Sequence, residues 1–333
     1  MRPHGAALLA IACGGWLAAA GAATPAFDLQ GHRGARGLAP ENTLAAFERA
    51  LRTGVDTLEF DVAVTADDVP VVVHDLTLNP AVVRDRDGAW LRSRPAVRSL
   101  TLAELQRFDV GRLDPASRYG QQFASQSPSD GERIQTLEAV LERVEELTRD
   151  AKGPPVRFNI ETKLDPRRPD LTPEPAAFVE ALLRVIRKAG ITERVTLQSF
   201  DWRSLRHLHS IEPAIPTACL TTQGSSSDNV RDGAWTAGLA LADYPSVAAL
   251  AKAAGCSIWS PNFNNLQQAD VGTAHAIGMK VLPWTVNQPA DVRRLLDWGV
   301  DGLISDYPDR LREVMSQRSM PLPPPLPLPS SSR

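Results

Sequence analysis

The chain has 333 residues, 36 of them Lys or Arg and 39 Asp or Glu, for a formal charge of −3. Its 43% apolar fraction belongs to a globular chain, and the length suits one large domain of barrel type. The near-neutral balance excludes a polyanion-binding surface, so nucleic acid is not an expected partner and any phosphate recognition has to be local.

Residues 1–23 have a basic start at Arg2, an apolar stretch over 6–20 and small residues at Ala20, Gly21 and Ala22, the pattern of a cleaved secretory signal peptide. The apolar stretch is shorter than the roughly 20 residues of a spanning helix. No stable membrane insertion is therefore expected after cleavage. The mature chain is expected to be secreted, or periplasmic in a double-membraned bacterium. With Cys13 inside the leader, Cys219 and Cys256 remain. An oxidising compartment would let them pair, while their apolar surroundings equally suit free buried thiols.

Strand one is expected near 27–31 and leads through Gly31-His32-Arg33-Gly34 into a helix over 41–52, with Pro40 in its first turn and Gly54 past its end. Strand two, 57–64, alternates, so Glu59 and Asp61 share one face while Leu58, Phe60 and Val62 make the other apolar. Two adjacent carboxylates repel each other, and a bound cation removes that penalty. Oxygen-only ligands point to Ca²⁺ or Mg²⁺, against the alternative of solvated acids on an edge strand. His74 ends a second apolar run, with Asp75 beside it to fix its tautomer. Paired with His32, it supplies what proton transfer at a phosphodiester needs, and Arg33 offers a planar fork to phosphate. Either histidine alone would more simply be a structural group.

From 77 to 134 the strand-helix alternation stops, and a polar insertion of that length is usually functional, against the alternative of a surface elaboration. A helix follows over 136–148. Strand three, 156–163, carries Glu161 and Lys163 on one face near its C-terminal end, an internal ion pair or part of a site. Further helices are expected over 176–189, 202–210, 246–254, 271–277 and 290–298, and strands over 195–199, 215–220, 257–260, 280–286 and 302–305. Eight strands with helices between them argue for an α/β TIM (β/α)8 barrel with a small insertion after the second strand. Gln198, ending strand four, is a candidate ligand contact or a rim polar group. Trp284, ending strand seven, is a candidate apolar wall or core packing. Residues 318–333 read as a disordered Pro-rich tail beyond a domain spanning 24–317.

The ordered set HRG, PENT, EFDV, VPVVVHD, TLN, NIETK, LQSF and PWTVN resembles the glycerophosphodiester phosphodiesterases, over about residues 27–307. The resemblance implies a TIM barrel that hydrolyses glycerophosphodiesters to glycerol 3-phosphate and an alcohol with one divalent cation, Ca²⁺ or Mg²⁺. It makes Glu59, Asp61 and Glu161 the metal ligands and His32 and His74 the acid and base. Arg33, Lys163, Gln198 and Trp284 become the substrate contacts. Asp68 departs from the family's usual glycine before the second histidine, and Pro80 from a frequent basic residue; Asp tolerates the left-handed backbone such a turn demands. Alternatives are a phospholipase D-like lyase acting on lysophospholipid or sphingolipid, a zinc amidohydrolase, and a non-catalytic glycerophosphodiester-binding protein. The zinc enzyme is disfavoured because strand one offers His-Arg in place of His-x-His.

Overall fold

Alternation within the strands decides the architecture of this computed structural model, which describes residues 27–225 and 227–327. The proposed leader, and the tail beyond 327, lie outside the described residues. The chain runs β1 (Asp28–Gly31), α1 (Leu44–Thr53), β2 (Thr57–Val64), β3 (Pro70–Val72), α2 (Leu102–Leu105), α3 (Arg118–Gln122) and α4 (Leu137–Thr148). It continues through β4 (Arg157–Thr162), α5 (Pro175–Ala189), β5 (Val195–Ser199), α6 (Trp202–Ile211), β6 (Thr217–Thr221) and α7 (Val247–Ala253). β7 (Ile258–Pro261), α8 (Gln268–Ala276), β8 (Lys280–Val281), α9 (Pro289–Asp297), β9 (Gly302–Ser305) and α10 (Pro308–Gln317) complete it.

Eight strands form a parallel sheet in the order β8-β7-β6-β5-β4-β2-β1-β9. The sheet closes through backbone bonds from Asp301 to Val281, from Ile304 to Pro283 and from Val286 to Ile304. The TIM barrel is thus confirmed, with β3 as a ninth strand paired antiparallel to β2 outside the ring. Strand seven is shorter than its sequence run, because Pro283 has no N–H to continue the ladder.

The outward residues of β2 and β4 face the helices. Phe47 of α1, Phe60 and Phe158 stack edge-on at 5.4 and 6.3 Å, each pair worth about 1 kcal/mol beyond its burial. Thr43, not Pro40, starts α1: its hydroxyl accepts the Ala46 N–H, which leaves Glu41 and Asn42 in the loop above the strand ends. Gly34, at φ 81°, lets that loop lie on α1, since a Cβ there would come within 2.7 Å of the Ala46 backbone. Asp68 does adopt the left-handed turn, at φ 60°.

The insertion builds its own small core from Leu78, Val83, Val97, Leu105, Val110 and Ile134 against Ala63 and Val71 of β2 and β3. At the opposite end of the barrel, residues 320–327 are packed, which corrects the reading of this stretch as disordered. Met320, Leu322 and Leu326 lie on the core, and the Leu326 N–H donates to the Leu51 carbonyl. Proline's fixed backbone lowers the entropy lost on docking, so a segment with little helix or strand propensity still binds.

Cys219 of β6 and Cys256, just before β7, form a disulfide with Cα atoms 5.9 Å apart. Cys219→Ser is expected to lower unfolding free energy by about 4 kcal/mol, from the 37-residue separation of the two cysteines. Urea unfolding of oxidised wild type and variant measures this, and equal midpoints would remove the bond's structural role. Among the described residues, no helix is long and apolar enough to cross a membrane.

Candidate active site

Strand register assembles the centre. β2 and β4 pair Asp61 with Glu161 and Glu59 with Asn159, and β4 and β5 pair Glu161 with Gln198. All of these side chains point into the barrel, at the C-terminal ends of the strands where (β/α)8 active sites lie. Glu59, Asp61 and Glu161 are at most 6% exposed, and each offers an oxygen within 4.8 Å of the others. The Asp61 Oδ1 atom is buried without a hydrogen-bond partner. Three buried carboxylates around one orphaned oxygen fit a hard divalent cation, which prefers oxygen donors.

The surroundings of the three acids differ. Glu59 accepts the Arg33 N–H at 2.8 Å and the Gln198 amide at 2.7 Å, yet burial and then the charge of Asp61 hold it well above the usual carboxyl range. Burial and Asp61 likewise push Glu161 up to about 7 against the opposing Lys163, whose Nζ lies 2.6 Å away. Burial would also raise Asp61, but His74, Lys163 and Arg33 outweigh it and keep Asp61 well below the usual range. Asn42 completes its setting, donating to Asp61 Oδ2 at 3.0 Å and accepting the Asp61 N–H at 3.3 Å.

A cation needs these groups ionised. Below about pH 7 its binding must expel at least the Glu161 proton, so affinity rises at least about tenfold per pH unit between pH 5 and 7. Calorimetry in two buffers of different ionisation enthalpy would detect the released proton. A pH-independent Kd would mean that Glu161 is not a ligand.

Both histidines are held through Nδ1. His32 Nδ1 lies 2.6 Å from Asp306 Oδ1, and its Nε2 lies 3.9 Å from Glu59. Burial and the charge of Arg36 bring its pKa down to about 4 despite Asp306. His74 Nδ1 bonds Asp75 at 2.6 Å, and its pKa is lowered by burial and then by Arg33 and Lys163. Both aspartates are acceptors, Asp75 held down at about 2 by its bond to His74 in spite of burial. In each ring, therefore, Nδ1 carries the proton and Nε2 is free for chemistry.

Arg33 reaches Glu41 at 2.7 Å and Asp61 at 3.4 Å. Tyr119 of the insertion donates to Glu41 and accepts from Arg36 at 3.1 Å, which places the insertion against this cluster. A cavity of about 770 Å³ opens beside the carboxylates, lined by His74, Glu161, Lys163, Phe200, Arg94 and Trp235 among others. Two expectations for ligand contacts are corrected. Gln198 is 1% exposed and spends its amide on Glu59 and Asn159, so it holds a carboxylate and does not face the cavity. Trp284 packs edge-on against Phe200 at 5.3 Å, and it is Phe200 and Trp235 that line the cavity.

The sequence reading missed Arg36, Glu41, Asn42, Tyr119, Asn287 and Asp306. Glu41 and Asn42 stand inside the PENT motif, which was a usable signal. Asp306 and Tyr119 come together with β1 only through tertiary structure.

Carboxylates, imidazoles and cationic side chains on the catalytic rim of a (β/α)8 barrel suit a phosphoric diester hydrolase. The glycerophosphoryl diester phosphodiesterase family model matches residues 32–310, and the chain belongs to that family. It is 30% identical over 280 residues to a glycerophosphodiester phosphodiesterase of Caldanaerobacter subterraneus, covering 84% of this chain and 94% of that one. The Bacillus subtilis glycerophosphodiester phosphodiesterase is 29% identical over 286 residues, 85% of this chain and 84% of its own. A crystal structure from Silicibacter pomeroyi, named provisionally as a member of the family, superposes with TM-score 0.80 at 34% identity, covering 89% and 95% of the two chains. An Oleispira antarctica phosphodiesterase shares the fold with TM-score 0.63 at 22% identity, covering 87% and 96%.

Proposed function

We propose that the enzyme cleaves glycerophosphodiesters to glycerol 3-phosphate and an alcohol by histidine acid-base catalysis with one divalent cation, Ca²⁺ or Mg²⁺, held by Glu59, Asp61 and Glu161. The observation that carries this is the buried carboxylate trio, with its orphaned oxygen, flanked by two Nδ1-anchored histidines. When bound, the cation supplies positive charge to the phosphoryl oxygens.

The remaining work falls to side chains. Lys163 and the Arg33 guanidinium, whose Nε lies 3.4 Å from Asp61, neutralise phosphate charge as it develops. His32 is kept neutral, the state a base requires, and takes the proton of the attacking hydroxyl. That hydroxyl is the one adjacent on the glycerol, whose intramolecular attack gains from proximity and leaves a cyclic phosphate for water to open. His74 lines the open cavity, where the leaving alcohol has room. In its imidazolium form, with a second proton on Nε2, it gives that alcohol the proton and returns to the neutral ring; its lowered pKa confines that form to the acid side of the pH profile. Charged residues dominate the cavity wall, which favours a hydrophilic alcohol over the acyl chain of a lysophospholipid. The Oleispira antarctica phosphodiesterase was solved in complex with the product sn-glycerol-3-phosphate, the product expected here.

The test is release of glycerol 3-phosphate from glycerophosphocholine by the purified protein with Ca²⁺ or Mg²⁺ and then with chelator. Release that chelator abolishes is the expected result. Binding of the diester without turnover would replace the hydrolase by a binding protein, and a cyclic phosphate as end product would mark a lyase.

A further inference from the structure

We infer that Asp306 is a positioning residue for this reaction, acting only through His32. The inference rests on the base role proposed above for His32. Asp306 follows the last barrel strand and is 1% exposed. Its carboxylate is fully engaged: Oδ1 accepts from His32 Nδ1 at 2.6 Å and from Arg36 Nε at 2.8 Å. Oδ2 accepts from Arg36 Nη2 at 3.0 Å and from the Asn287 amide at 2.7 Å.

The Asp306 N–H in turn donates to Asn287 Oδ1 at 2.9 Å, so backbone and side chain are fixed from one neighbour. The forked guanidinium sets the carboxylate plane and the carboxylate sets the imidazole plane. The His32 N–H donates to the Ser305 carbonyl and the Gly37 N–H to the Asp306 carbonyl, which locks the first and last strands around the dyad. Rotation of the ring is thereby blocked, and the proton stays on Nδ1. The lone pair of Nε2 is left facing the carboxylate trio. Asp306 itself touches neither the trio nor the cavity wall; its bonds to Arg36 lead on through Tyr119 to Glu41 beside Arg33, and the double-mutant cycle separates that second route from the one through His32.

The test is a double-mutant cycle on kcat for glycerophosphocholine with His32→Ala, Asp306→Asn and the double variant, with melting curves for each. Asp306→Asn is expected to lower kcat by about 10²-fold with KM within about twofold, because the amide no longer enforces the tautomer. In the His32→Ala background the same change is expected to cost less than about threefold. A full further 10²-fold loss in the double variant would overturn the inference, as would an Asp306→Asn enzyme of near wild-type kcat. If Asp306→Asn does not fold, Asn287→Ala takes its place in the cycle, with an expected loss of about tenfold that again vanishes beside His32→Ala. A His32→Ala enzyme with near wild-type kcat would refute the base role itself, a result the cycle reads separately.

Discussion

His74→Ala is expected to lower kcat for glycerophosphocholine by about 10³-fold while leaving the melting temperature within about 2 °C of wild type. The side chain is 30% exposed at the cavity wall, and Asp75 is its hydrogen-bonding partner, so little packing is lost with it. A second substrate separates the roles of the two histidines. With p-nitrophenol as leaving group no proton has to be delivered, so the His74→Ala defect should shrink to about tenfold or less, whereas a His32→Ala defect should persist. Equal defects on both substrates would reverse or abolish the acid role of His74.

Glu161→Gln tests the carboxylate trio from the other side. In the protein without metal, Glu161 carries a proton up to about pH 7, and the amide mimics that neutral form. Stability without metal should therefore stay within about 1 kcal/mol of wild type at pH 6. Affinity for Ca²⁺ or Mg²⁺ should fall by at least about 10²-fold, because one of three anionic donors is gone, and turnover should fall with it. The thermal shift produced by metal in wild type should then disappear. A variant that keeps both the shift and the turnover would remove Glu161 from the site. One that unfolds without metal would show instead that Lys163 needs the Glu161 charge at 2.6 Å to stay buried.

The order of elements was legible because hydrophobic period and punctuation agree along most of the chain. Thr136 and Gly190 bound helices α4 and α5 where the sequence placed them, and the alternation of β2 put Glu59 and Asp61 on the inner face. What local pattern could not supply was pairing. Gln198 ends a strand and is polar, which suits a ligand contact, but parallel register places it beside Glu161 and within reach of Glu59. Trp284 and Phe200 are both aromatic residues at strand ends. Only the folded structure shows that Phe200 lines the cavity while Trp284 packs against it. Asp306 is 274 residues from His32, and nothing near either residue announces the bond. The Pro-rich stretch was misread for a related reason, since composition describes what a segment does alone and not the surface it meets.

That stretch has a practical meaning. Phe27, Leu51, Val55, Val156 and residues 321–327 line one cleft beneath the barrel, on the side away from the carboxylates. The described ends of the chain are thus neighbours there, and α1 runs like a strut from the cleft, at Leu51, up to the loop that carries Glu41 and Asn42. The cleft and the carboxylates thus occupy opposite ends of the barrel. Filling the cleft with larger apolar side chains offers an engineer a hardier catalyst without touching a residue that meets substrate.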